Sequence, residues 1–433
     1  MLRSNILALT LFVIVSFVAS QTTDIESAYV VSGTNESSVS GIFTAFGNNE
    51  SAILVENAGT FLCTGCTVIK TGNTSNTTDG SFSDLNAAVS VQINGTLTMR
   101  HSTIYTDGIA ATGAKVYEDG SSAYLYDLVV AVTAEFALGI YQAGGYIYAE
   151  GVTVTTNGKY SGCFSTDEGG GIMEIYNSEA YTLAEDSVLV YSTGNITATG
   201  IIGQTHLSPA GVIDGTNYIT LVNPTISVGP VEHGVFQIFN SGDSASGTAN
   251  VWVTGGSIDE TRGVAPFLLT ANAIFEVQFT EVEIALKTST FVNLSANYKW
   301  GTTGSNGGTA SVNLTRQSIE GNVYVDEISS ATLLLADYSN LTGSINSAKT
   351  GGSVYLEIDE TSVWTVTDNS YVTGLGISVS NNTSSSGTTS DLSHLIVTTG
   401  NYTVYYTGNS TGNTWLNGKT YTLTGGGSLT SLA

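Results

Sequence analysis

The feature that most constrains this chain is a recurring unit. Each copy opens with glycine, continues as a short alternating strand, turns at a polar corner, adds a second short strand, and ends in a turn rich in Ser, Thr, Gly and Asn. Asn94-Gly95-Thr96-Leu97-Thr98-Met99 followed by Thr103-Ile104-Tyr105 is one copy, and Gly144-Gly145-Tyr146-Ile147-Tyr148-Ala149 followed by Val152-Thr153-Val154-Thr155 is another. The marker glycines Gly95, Gly120, Gly144, Gly170, Gly194 and Gly215 lie about 21 to 26 residues apart, within the range of solenoid repeats. Apolar residues alternate inside each unit, as in Leu97 and Met99, Ile147 and Ala149, Ile219 and Leu221, Val251 and Val253, and Val277 and Phe279. A period of two means strands with one buried and one solvated face. No sustained 3.6-residue period follows Gln21, so few helices are expected.

A sandwich or barrel of short strands would need tight hairpins between strands of matching length, and these are lacking. The sequence therefore predicts an all-β fold, a right-handed parallel β-helix with capped ends. Composition agrees. Charged residues make up 11% of the chain against the roughly 25% of ordinary globular proteins, and there are 50 Gly and only 4 Pro. Disorder is excluded by 22 Tyr and abundant Val and Ile.

Residues 1–20 have a short start with Arg3, an apolar run from Ile6 to Val18 and small residues at Ala19 and Ser20, the order of a secretory signal peptide. The run is shorter than the roughly 20 residues of a membrane span. Residues 21–50 are expected to form an N-terminal cap and 51–433 the coil, with irregular rungs after Thr261, an insertion over Ser380 to Ser390, and a C-terminal cap from Thr414 to Leu423. The expected location is extracellular or at a cell surface. With 36 acidic residues against 11 basic ones the formal charge is −25, which excludes nucleic acid as a partner.

Asparagines in Asn-x-Ser/Thr sequons are glycosylation candidates in a secreted chain: Asn35, Asn49, Asn73, Asn76, Asn94, Asn195, Asn293, Asn313, Asn340, Asn381, Asn401 and Asn409, with Asn382 beside Asn381. Cys63, Cys66 and Cys163 are disulfide candidates: either Cys63 pairs with Cys66 or one of the two pairs with Cys163, and one thiol is left over for the interior.

Several segments carry a resemblance: Ser165-Thr166-Asp167-Glu168-Gly169-Gly170-Gly171, Val190 to Ile196, Lys299-Trp300-Gly301 to Gly308, Val363 to Val372, and Trp415 to Leu423. On these the chain from about residue 50 onward is similar to secreted, adhesin-like right-handed β-helix proteins, related in fold to autotransporter passengers and pectate-lyase-type helices. The resemblance implies a surface protein without a demonstrated activity.

A lyase on such a fold needs carboxylates for Ca²⁺ and a Lys or Arg base, and a hydrolase needs converging carboxylates. The scattered basic residues fit the first poorly, and His233-Gly234 is the lone fragment resembling a polygalacturonase signature. No catalytic residue is assigned. Asp167 and Glu168, followed by Glu174, Glu179, Glu185 and Asp186, are candidates for a surface Ca²⁺ site, and no other cofactor is indicated. His206, Asp214 and His233 fall near similar rung positions. Tyr105, Tyr124, Tyr126, Tyr146 and Tyr148 are placed by the alternation at solvent-facing positions of successive rungs. There they would form either a platform for sugar rings or a stabilising ladder of like side chains. The expected function is non-catalytic and adhesin-like with extracellular glycans or cell-surface components as partners; the alternatives are a polysaccharide-degrading enzyme and a structural coat or matrix component.

Overall fold

The computed structural model describes residues 25–74, 86–167, 170–231, 233–242, 247–263, 265–378 and 392–432. The expected signal peptide, the insertion at 380–390, Glu168, Asn76, Asn381 and Asn382 lie outside the described residues. The chain is a parallel β-solenoid of about 15 turns. Each regular turn supplies one strand to each of three faces. The first face is a 14-stranded parallel sheet running from Asn35–Val39 to Gly374–Ser378, the second a 10-stranded sheet from Ile42–Ala45 to Glu283–Ala285, and the third a 12-stranded sheet from Val30–Ser32 to Asn322–Val325.

Strands stack in register on their counterparts one turn away: Leu97 faces Phe61 and Ala123, and Met99 faces Cys63 and Leu125. The alternating apolar residues thus form continuous inner columns. Leu97, Met99, Ile147, Ala149, Ile219, Val251, Val253, Val277 and Phe279 are all buried in one core cluster. Burying one such side chain contributes roughly 1.5–3 kcal/mol, and because each turn rests on its neighbours, a thin core per turn suffices.

Of the segment expected to form a cap, residues 25–50 carry strands of the coil: Asn35–Val39 pairs in parallel with Thr60–Thr64, and Ile42–Ala45 with Thr67–Lys70. After Glu283–Ala285 the second face continues as a four-stranded sheet from Ser318–Glu320 to Ile396–Thr398. The far end closes on a 3₁₀ helix, Thr411–Leu416, and on Tyr421–Thr422, which pairs antiparallel with Ser428–Leu432. The Trp415 indole N–H donates to the Leu375 carbonyl at 3.0 Å. Among the described residues no helix is long and apolar enough to cross a membrane.

The corners explain the glycine signal. All six marker glycines fall just before first-face strands. At Gly144 the backbone has φ +84°, a left-handed conformation that favours glycine. The corner between first and second faces is left-handed on successive turns: His101, Asp127, Gly151, Asn177, Gly200, Asn223 and Gly255 all have positive φ. A Cβ on Gly151, Gly200 or Gly255 would lie under 3.0 Å from the side-chain oxygen of Asp127, Asn177 or Asn223 respectively. From Asp127 to Gly255, side chain and empty space therefore alternate from turn to turn.

Cys63 and Cys66 form a disulfide across the corner at Gly65, whose φ is +65°. Cys163 is free and buried. Trp300, in the long connection after Thr290–Leu294, stacks on Phe239 at 4.6 Å and, with Tyr191, packs against the small buried cluster of Val188, Val212, Phe239 and Ala271.

Candidate ligand-binding face

Four of the five singled-out tyrosines lie together on the outside of the first face, two on Ser122–Tyr126 and two on Tyr146–Glu150. Tyr105 does not join them. The chain turns at the left-handed residue His101, so the strand Thr103–Thr106 belongs to the second face and Tyr105 points away from that side of the coil. Alternation alone assigns inside and outside, and it is blind to which outside.

Tyr176, on Ile172–Tyr176, completes the patch. In register Tyr124 stands opposite Tyr148, yet the ring contacts are diagonal. Tyr124 meets Tyr146 at 5.9 Å, Tyr126 meets Tyr148 at 5.5 Å, and Tyr148 stacks on Tyr176 at 5.3 Å and 30°. Such diagonal neighbours are within reach of aromatic side chains. The Arg100 guanidinium lies 4.0 Å from the Tyr126 ring centroid, at a distance that makes a cation–π contact.

Two carboxylates set the hydroxyls. The Tyr146 hydroxyl donates to Glu174 at 2.5 Å and the Tyr148 hydroxyl to Glu150 at 3.0 Å. Loss of solvent, followed by the hydrogen bond to a carboxylate and its charge, pushes the Tyr148 phenol up to about 12 and raises that of Tyr146 as well. All five tyrosines are half-buried, and each ring rests against at least one other.

The acidic residues after Asp167 are spread around the coil rather than gathered. Glu174 sits on the first face, and Glu179 lies on the second, where it accepts from Tyr181 at 2.9 Å. Glu185 pairs with Lys159 at 2.9 Å, with Asp186 at 4.0 Å from the same ammonium. A turn takes about two dozen residues, so positions seven to twenty apart face different directions. Asp167, half-buried, donates its backbone N–H to the Gln142 carbonyl at 2.9 Å. Among the described residues no group of three His, Cys, Asp or Glu side chains could hold a metal ion.

The histidines are dispersed in the same way. His206 is exposed on the second face, and Asp214 is buried on the third, where it accepts from the Ser241 backbone at 2.8 Å. His233 bonds to the Tyr298 hydroxyl, and His101 pairs with Asp127 at 3.3 Å along the left-handed corner.

Among the sequon asparagines, Asn35, Asn73, Asn94, Asn195, Asn340, Asn401 and Asn409 are exposed, whereas Asn49, Asn293 and Asn313 are half-buried. The Asn313 amide donates to Glu276 at 3.1 Å. Comparison of the chain with known protein families and with curated proteins finds no match to either.

Proposed function

We propose that this is a secreted, non-catalytic, adhesin-like surface protein that binds glycans on the tyrosine patch of its first face. The coil is right-handed in this reading, as crossovers between parallel strands nearly always are. The observation that carries the proposal is the set of five tyrosine rings on one face, a pair of Tyr124 with Tyr146 beside a row of Tyr126, Tyr148 and Tyr176, with two hydroxyls held by Glu150 and Glu174. Rings that rest against one another have less freedom to lose when a sugar stacks on them. A long, nearly flat sheet favours several shallow contacts over one enclosed site.

The test is a glycan array probed with the wild type and with a variant in which Tyr124, Tyr126, Tyr146 and Tyr148 are changed to Ser. Binding should disappear in the variant while circular dichroism stays that of a β fold, and Tyr105→Ser, on another face, should leave binding unchanged. Binding that survives the fourfold change, or release of reducing or unsaturated ends from any polysaccharide, overturns the proposal.

A further inference from the structure

We infer that the glycan taken by this face carries free amines, as a glucosamine polymer does, in preference to neutral or uronic acid chains. The inference rests on the proposal that the tyrosine face binds glycans. Three observations lead to it.

The first is charge. A net charge of −25 repels polyanions at long range and draws polycations.

The second is the hydrogen-bonding character of the patch. The hydroxyls of Tyr146 and Tyr148 are spent as donors on Glu174 and Glu150. A carboxylate offers about four lone-pair sites, so each glutamate keeps acceptor capacity after taking its phenol. Around Tyr146 and Tyr148 the surface therefore offers carboxylate acceptors in place of phenol donors. An ammonium, with three donors and no acceptor, complements it better than a hydroxyl, which brings both.

The third observation is Arg100. The rings of Tyr126, Tyr148 and Tyr176 form one diagonal row, and the guanidinium already sits over the first of them. The chain thus places its own cation at the head of the row. Among the described residues no Lys or Arg lies over Tyr148 or Tyr176, which have the same ring chemistry and stand beside Glu150 and Glu174.

The experiment is calorimetric titration at low salt and mildly acidic pH, where the sugar amines are protonated. The probes are the hexamers of glucosamine, N-acetylglucosamine and galacturonic acid. The glucosamine hexamer should bind at least about tenfold more tightly than its acetylated form, weaken as salt is added, and outcompete the uronic acid chain. Glu150→Gln with Glu174→Gln keeps an acceptor for each phenol and should remove that preference. Arg100→Ala exposes a ring and deletes a like charge, so it should tighten glucosamine binding; a neutral or acidic ligand would respond with no change or a loss. If the glucosamine and N-acetylglucosamine hexamers bind alike and the double glutamine variant is unaffected, while the tyrosine substitutions still abolish binding, the amine inference is overturned and the glycan face stands. If none of the hexamers binds and the array is also blank, both fall.

Discussion

Lys70 and Cys163 show how much the interior of the coil changes ordinary side-chain chemistry. Lys70 is fully buried, and its ammonium donates to the carbonyls of Gly47 and Gly72, both at 2.8 Å. Burial pulls its pKa down to about 8, against the opposing pull of Glu50. Between that value and the ordinary 10.5 the unfolded chain holds a proton that the folded chain has released, so folded stability rises with pH across this window and is lowest below it. Thermal unfolding of the wild type should therefore gain on that of Lys70→Met between about pH 8 and 10, each unit of pKa difference being worth about 1.4 kcal/mol. A constant difference would show that Lys70 stays charged throughout. Cys163 sits 3.5 Å from the Tyr181 carbonyl, and burial pushes its thiol up to about 12. One thiol should react with an aromatic disulfide reagent after unfolding and none before; rapid labelling of the folded protein would contradict the structure. An interior thiol was among the readings the sequence allowed. A buried lysine was not legible, because Lys70 occupies an inward strand position where alternation leads one to expect an apolar residue.

The corners are the elements on which the coil depends most. Gly200 has φ +68°, and a Cβ there would crowd the Asn177 side chain. Gly200→Ala should cost about 1–2 kcal/mol from the left-handed backbone alone, read as a lower midpoint in denaturant unfolding, whereas Thr197→Ala on the adjacent strand, which points outward, should cost little. Equal losses at the two positions would show that the corner is not strained. The marker glycines made one corner legible in the sequence, and the alternating apolar pairs gave the inward columns residue by residue. The second corner was hidden, since His101, Asp127, Asn177 and Asn223 share it with Gly151, Gly200 and Gly255 and no glycine recurs at every turn; Tyr105 was therefore placed beside tyrosines that lie around the bend. Tyr176 could have been found from its place in Ile172–Tyr176, which matches that of Tyr126 in its own strand.

At the scale of the whole molecule, the 14 strands of the first face at a spacing of about 4.8 Å make a rod on the order of 65 Å long. Small-angle scattering of the monomer should give an elongated particle of at least that maximum dimension; a compact sphere of the same mass would refute the stacking. Hydrogen exchange should be slowest in the central turns, which have neighbours on both sides, and faster toward the ends. The alternation at the corner between first and second faces carries a consequence for descent. From Asp127 to Gly255, each residue with a side chain is followed one turn later by a glycine that leaves it room. Loss of a single turn by unequal recombination would set two like acceptors, such as the carboxylate of Asp127 and the amide oxygen of Asn177, against each other without the opposite charge that lets His101 and Asp127, or Glu281 and Arg316, stand on consecutive turns, whereas loss or gain of two turns would restore the match. Within this stretch, the heritable unit of length is the pair of turns.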